Sequence, residues 1–185
     1  MNKSIGAIEF RSISKGIEIS DKIVKKAFVE IIYLKSICPG KLLVIVAGDE
    51  GEVKESIEYG VEISEGYMLD SFIINSVSDA IINGLKNKYE KNNSVLSIGI
   101  VETSKVCSGI KSLDKALKSS NVKLIKLQLA FLVGGKLVYM ISGDLSSVEY
   151  GVHESKKVLS QKEIINISII PFPDIQIIDN LINNK

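Results

Sequence analysis

Two cysteines and one histidine, Cys38, Cys107 and His153, are the side chains in this sequence best suited to ligating a soft metal or exchanging a proton near neutral pH. Cys38 stands in the run Ser36-Ile37-Cys38-Pro39-Gly40-Lys41. Thiolates are soft ligands that suit iron–sulfur clusters or zinc. Pro39 stiffens the run, and Gly40 lets the backbone turn and pass close to a neighbour. One chain offers one such loop cysteine, so it cannot hold a cluster alone. From spacing alone, Cys38 reads rather as an ordinary, partly buried thiol in a strand-connecting loop. Cys107 reads as a core or interface thiol without a ligand role. His153, amid Glu149, Glu154 and lysines, reads as a solvated or interface histidine, since no nucleophile or acid partner accompanies it. Glu9 and Glu102 occur at matching places and read as structural rather than as a catalytic pair. Gly134-Gly135 is not followed by the Gly-Lys-Ser/Thr of a phosphate loop. The chain is expected not to be an enzyme.

The elements that must position these residues occur twice. IGAIEF from Ile5 recurs as IGIVET from Ile98, and GKLLVIVAGD from Gly40 recurs as GKLVYMISGD from Gly135. The copies differ most between those runs, where KSICPGK faces QLAFLVGGK. Repetition of this kind marks a duplicated structural unit. Each copy opens with a strand, expected over Ile5–Phe10 and Val95–Val101. A helix follows, with Ile13, Ile17, Val24, Ala27 and Phe28 on one face, echoed by Val106, Ile110, Leu113 and Leu117. Two strands come next, around Val29–Leu34 and Leu42–Ala47, then Val122–Leu127 and Leu137–Ile141. Gly48-Asp49 and Gly143-Asp144 end the third strand, each Asp a helix N-cap candidate. A second helix, a fourth strand (Met68–Asn75 and Ile164–Ile170) and a short terminal helix complete each copy. The order β-α-β-β-α-β plus a terminal helix predicts an α/β (α+β) chain of two ferredoxin-like domains. The polar stretch Lys86–Ser94 separates them, giving a first domain over 1–88, a linker over 89–94 and a second domain over 95–185.

Domains of about 90 residues bury a modest fraction of their surface alone, so packing against a twin or another subunit is expected. Mean hydropathy is +0.23 although 24% of residues are charged, which fits apolar surface buried between subunits as well as Ile- and Val-rich cores. The 23 basic and 22 acidic residues are spread along the chain, so no basic block points to nucleic acid. Apolar runs such as Leu42–Ala47 are far too short to span a membrane. A strand expected within four residues of the start leaves no room for a signal peptide. Cysteines at non-equivalent positions make a poor disulfide framework, which favours a cytoplasmic setting.

These segments taken in order resemble a known family: IGAIEF, then Asp21 and Lys25 on the first helix, then KSICPGKLLVIVAGDEGEVKESIEYG. They look like the bacterial microcompartment (BMC) shell domain, with its pore loop, its strand ending in Gly-Asp and its following helix. IGIVET through GGKLVYMISGDLSSV has the same look. Two such domains in one chain resemble the tandem-domain shell proteins, which form trimers imitating a hexamer. Ser36–Lys41 and Ala130–Lys136 also resemble the two pore loops of the tandem shell proteins of propanediol-utilisation compartments.

That resemblance implies a pseudohexameric homotrimer in a microcompartment shell, beside other shell proteins and around encapsulated redox enzymes. It implies one [4Fe–4S] cluster per trimer, bound by Cys38 of three subunits and serving electron transfer across the shell or cluster supply to enzymes inside. It makes Ile37, Pro39, Gly40, Val133, Gly134 and Gly135 pore-loop residues, and Lys25 and Lys118 shell-edge contacts. The family's edge turn often carries Arg and His, and here it reads Pro171-Phe172-Pro173-Asp174. Two other readings stay open: a tile whose pore conducts a metabolite without a cluster, and a ligand-binding sensor of paired ferredoxin-like domains.

Overall fold

A computed structural model of the chain describes residues 3–89, 96–129 and 134–183. The first repeat forms β1 (Ser4–Phe10), α1 (Ile13–Lys26), β2 (Glu30–Ile37), β3 (Lys41–Gly48), α2 (Glu50–Glu62), β4 (Met68–Ile74) and α3 (Asp79–Leu85). The second forms β5 (Ser97–Thr103), α4 (Val106–Ser119), β6 (Lys123–Leu129), β7 (Leu137–Gly143), α5 (Leu145–Lys156), β8 (Ile164–Pro171) and α6 (Ile175–Ile178). A π-helical turn, Asp179–Asn183, continues α6. The opening strand of the second repeat therefore starts at Ser97; Val95 and Lys91–Ser94 lie outside the described residues.

Each repeat builds one antiparallel four-stranded sheet, ordered β2-β3-β1-β4 and β6-β7-β5-β8, which is the expected ferredoxin-like arrangement. The registers match: Ile8 opposes Val44 as Val101 opposes Tyr139. Even the irregularities repeat, with a shift between Ile31 and Tyr33 and another between Leu124 and Lys126. A period-2 strand cannot slip by one residue without turning its core side chains outward, so shared register means shared core geometry. In the first repeat that core joins Ile8, Phe10, Leu42, Val44 and Val46 to Ile19 and Ile23 of α1 and to Val53 and Ile57 of α2. The second core trades volume across one contact. Tyr139 stands opposite Val101, as Val44 does Ile8, and its buried hydroxyl shares a 2.8 Å hydrogen bond with Ser112. Ser112 holds the helix position that Ile19 holds in α1.

The helix stripe read from the sequence divides between the repeats. In α4, Val106, Ile110 and Leu113 are buried as expected. In α1 the buried positions are Gly16, Ile19, Ser20 and Ile23, while Ile13 and Ile17 are exposed. Ala27 and Phe28 lie beyond the helix end, and Phe28 is almost fully exposed. Periodicity located an apolar face correctly, but α1 is apolar on two sides, and its own core takes the other one.

The compact units do not follow the expected boundaries. Unit 1 holds residues 1–77 together with Gly134 and Gly135, and unit 2 holds 78–129 and the chain from Lys136 onward. Helix α3, expected to close the first domain, thus belongs to the second unit, where it packs on β6 and α4. Tyr89, placed in the expected linker, also joins that unit: its hydroxyl accepts from the Leu127 N–H at 3.1 Å and faces the Leu127 carbonyl at 3.2 Å.

Candidate metal centre at the β2–β3 turn

Strand β2 ends at Ile37, whose side chain is buried, and β3 begins at Lys41. Cys38, Pro39 and Gly40 make the turn between them, with a cis Cys38–Pro39 peptide. Gly40 adopts a φ of 69°, the left-handed region that a side chain resists. The Cys38 thiol is half-buried and outside any disulfide, while Pro39 and Gly40 are exposed. A partly exposed thiol on a tight turn is open to a ligand from one side and held from the other.

Within the same unit, Gly135 supplies the backing. Its φ is 80°, and a Cβ built there would lie 2.3 Å from the Cys38 carbonyl oxygen. No side chain fits in that gap, so the backbone of Gly135 meets the backbone of Cys38 directly. Gly134, at φ 65°, has open space around it. Val133 and Ala130–Leu132 lie outside the described residues. The structure thus brings together Ile37, Cys38, Pro39, Gly40 and Gly135, which the sequence placed in two different loops.

A carboxylate–lysine pair anchors the base of each turn. Lys41, the first residue of β3, donates to Glu9 of β1 at 2.8 Å. Lys136, just before β7, donates to Glu102 of β5 at 3.1 Å. The environments differ: Glu9 is fully buried and its second oxygen has no hydrogen-bond partner, whereas the Glu102 side chain is partly exposed. A buried carboxylate with one cationic partner depends heavily on that partner. The matching glutamates were legible in the sequence. Their lysines were not singled out, although each follows the turn glycine in both copies.

The remaining candidates lie on the helices α1, α4 and α5. Lys25 and Lys118 each pair with the aspartate four residues earlier, Asp21 and Asp114, at 2.6 Å. Cys107 is buried in α4, and His153 is exposed on α5. Among the described residues of one chain, no three His, Cys, Asp or Glu side chains gather where they could hold a metal ion. No described helix is long and apolar enough to cross a membrane. The donor chemistry at Cys38 fits an iron–sulfur cluster or zinc only if other copies supply further thiolates.

Comparison with known proteins bears on both repeats. The BMC domain family profile matches residues 4–77 and again 97–173. The bacterial microcompartment shell protein PduT of Citrobacter freundii is 36% identical over 177 residues, covering 94% of each chain. The carboxysome shell protein CcmK2 of Synechocystis sp. is 35% identical over 78 residues, covering 40% of this chain and 76% of that one. Among solved structures, a microcompartment protein from Desulfitobacterium hafniense superposes with a TM-score of 0.86 at 30% identity, covering 95% of this chain and 97% of that one.

Proposed function

The chain belongs to the BMC-domain family, with two domains in tandem, and on that premise we propose a trimeric shell tile holding one [4Fe–4S] cluster through Cys38 of three subunits. It is a shell protein of a bacterial microcompartment, as its full-length likeness to PduT indicates. Two domains per chain make a three-fold ring equivalent in outline to a six-domain tile. Its place is the compartment shell, beside other shell proteins, with Lys25 and Lys118 at the tile edge. Its work there is to enclose, and no substrate reaction is assigned to it.

The observation that carries the metal reading is the asymmetry of the two turns. One repeat presents a half-buried thiol, and the other presents glycine backbone against that same residue. In a three-fold ring the first turn contributes three thiolates, leaving one iron without a protein thiolate. When bound, such a cluster would supply reversible one-electron transfer across the shell, or would itself be supplied to enzymes inside. The chain's own part is positional. Cys38 ligates, Pro39 and Gly40 set the turn, Gly135 backs the Cys38 carbonyl, and the Glu9–Lys41 pair fixes the base of β3.

Protein purified without oxygen should carry iron and acid-labile sulfide in equal amounts, near one cluster per three chains. Its dithionite-reduced form should give an iron–sulfur EPR signal, and Cys38→Ser should lose both metal and signal. Stoichiometric zinc without sulfide would replace the cluster with a three-thiolate zinc site. Metal-free wild-type trimers would leave a tile whose opening passes small metabolites.

A further inference from the structure

Helix α3 and the chain after it leave a space beside them in unit 2. Asp114 of α4 accepts from the N–H of Ser78, the residue that caps α3, at 3.2 Å. Ile81 of α3 is fully buried and Leu85 nearly so. A Cβ on Gly84 would lie 2.9 Å from Leu124 and 3.4 Å from Leu127, so this side of the helix sits tight on β6. Further along, the Leu127 backbone holds the Tyr89 hydroxyl. The segment 78–89 is thus fixed at several points. Between it, the end of α4 and the start of β6, a cavity of about 190 Å³ stays open.

The lining changes character with depth. Leu124 is buried, and Ala80, Leu117 and Val122 are half-buried, so the inner wall is apolar. Tyr89, also half-buried, closes one side. The charged lining residues Lys88, Lys123 and Asp79 are exposed and therefore stand at the mouth. Two ammonium groups against one carboxylate make that mouth positive. The matching corner of unit 1 is charged the other way: the strand registers put Glu30 where Lys123 stands, and Glu30 pairs with Lys3 at 3.9 Å.

Size and chemistry together select a ligand. A cavity of about 150 Å³ takes a molecule the size of benzene, so this one holds about six to eight non-hydrogen atoms. The apolar wall would strip water from a small inorganic anion without replacing its hydrogen bonds. A hydrocarbon body fills that wall, and a terminal anion stays at the mouth, where lysine ammonium groups on flexible stems can turn toward it. We propose that this cavity binds a short-chain monocarboxylate, its carboxylate between Lys88 and Lys123 and its hydrocarbon against Ala80, Leu117, Val122 and Leu124. The Asp79 carboxylate beside them disfavours a second negative charge on the ligand. The site is complete within unit 2, so it needs neither the trimer nor the cluster.

Butanoate, with a carboxylate on a three-carbon chain, is the probe. Saturation-transfer NMR over a concentration series reads its dissociation constant on the full-length protein, expected at about 1 mM for a ligand this small. Lys88→Gln and Lys123→Gln should each raise that constant at least about three-fold. Lys86→Gln is the control, since Lys86 is exposed at the α3 C-cap and does not line the cavity; the constant should hold. Butan-1-ol keeps the chain without the charge and should bind at least about ten-fold more weakly than butanoate. Thermal melting of each variant checks that the fold is intact. The proposal is overturned by a wild type without saturable butanoate binding, by a constant indifferent to both lysine variants, or by an equal loss in the control. Butan-1-ol or inorganic phosphate binding as tightly as butanoate overturns it as well.

Discussion

The turn after β2 and the turn before β7 occupy the same place in two copies of one fold, yet they differ in what they present. The first carries Cys38 at its surface and rests on a buried glutamate with one lysine. The second carries two glycines and rests on a partly exposed pair. The α1–β2 and α4–β6 faces repeat the lesson: similar residues, one face bare and one covered. Duplication lets a chain vary one copy while the other keeps the register. In a single-domain hexamer every copy would bear the thiol. In the proposed three-fold ring, half as many thiols would meet at the axis.

The largest contrast should come from the two lysines at the turn bases. Lys41→Ala strands the buried Glu9 carboxylate and should cost about 3 kcal/mol. Lys136→Ala removes a partly exposed pair and should cost less than about 1 kcal/mol. Urea denaturation at one fixed protein concentration reads both, and equal losses would erase the distinction between the two turns. The glycines come next. Gly135→Ala forces a Cβ onto the Cys38 carbonyl at positive φ and should cost about 2 kcal/mol or more. Gly40→Ala meets only the left-handed backbone, since nothing lies within 4 Å, and should cost about 1 kcal/mol. Gly135→Ala should also lower the iron content of the purified trimer, because it displaces the residue bearing the thiol.

A smaller contrast separates the two aspartates at the head of the apolar stripes. Asp114→Ala removes the acceptor for the Ser78 N–H and should destabilise the chain by about 1 kcal/mol. Asp21→Ala loses only its exposed pair with Lys25, worth a few tenths of about 1 kcal/mol. The smallest effect is on pH dependence. Asp144 caps α5 through bonds from the N–H and hydroxyl of Ser147, which hold its carboxyl below the ordinary value. A lowered folded-state pKa gives stability that is complete above the unfolded value and is lost as pH falls through the folded one. Asp144→Ala should therefore flatten the acid side of the stability profile. Asp49, at the matching N-cap, makes no side-chain cap bond, so Asp49→Ala should cost less stability at neutral pH than Asp144→Ala.

Much of this was legible in the chain itself. The order of strands and helices follows from local period and turn residues, and Gly48-Asp49 and Gly143-Asp144 marked the starts of α2 and α5. The position of Cys38 at the head of a turn was legible for the same reason. Three features were not. Hydrophobic period shows that Ile13 and Ile17 share a face, but not that Ile19 and Ile23 fill the core from the other side. Sequence order assigns α3 to the repeat it follows, whereas packing gives it to the next one. The meeting of Gly135 with Cys38 joins residues from different repeats, and no local pattern encodes it. Each gap concerns which surface meets which, and that depends on tertiary packing rather than on propensity.

The central claim is that one asymmetric turn, repeated by three-fold symmetry, holds one metal cluster. Native mass spectrometry of protein kept free of oxygen tests it in a single spectrum. The account predicts one dominant species with the mass of three chains plus one Fe4S4 unit, and for Cys38→Ser three chains alone. Wild-type trimers at the bare protein mass, or Cys38→Ser trimers that keep the Fe4S4 mass, would contradict it.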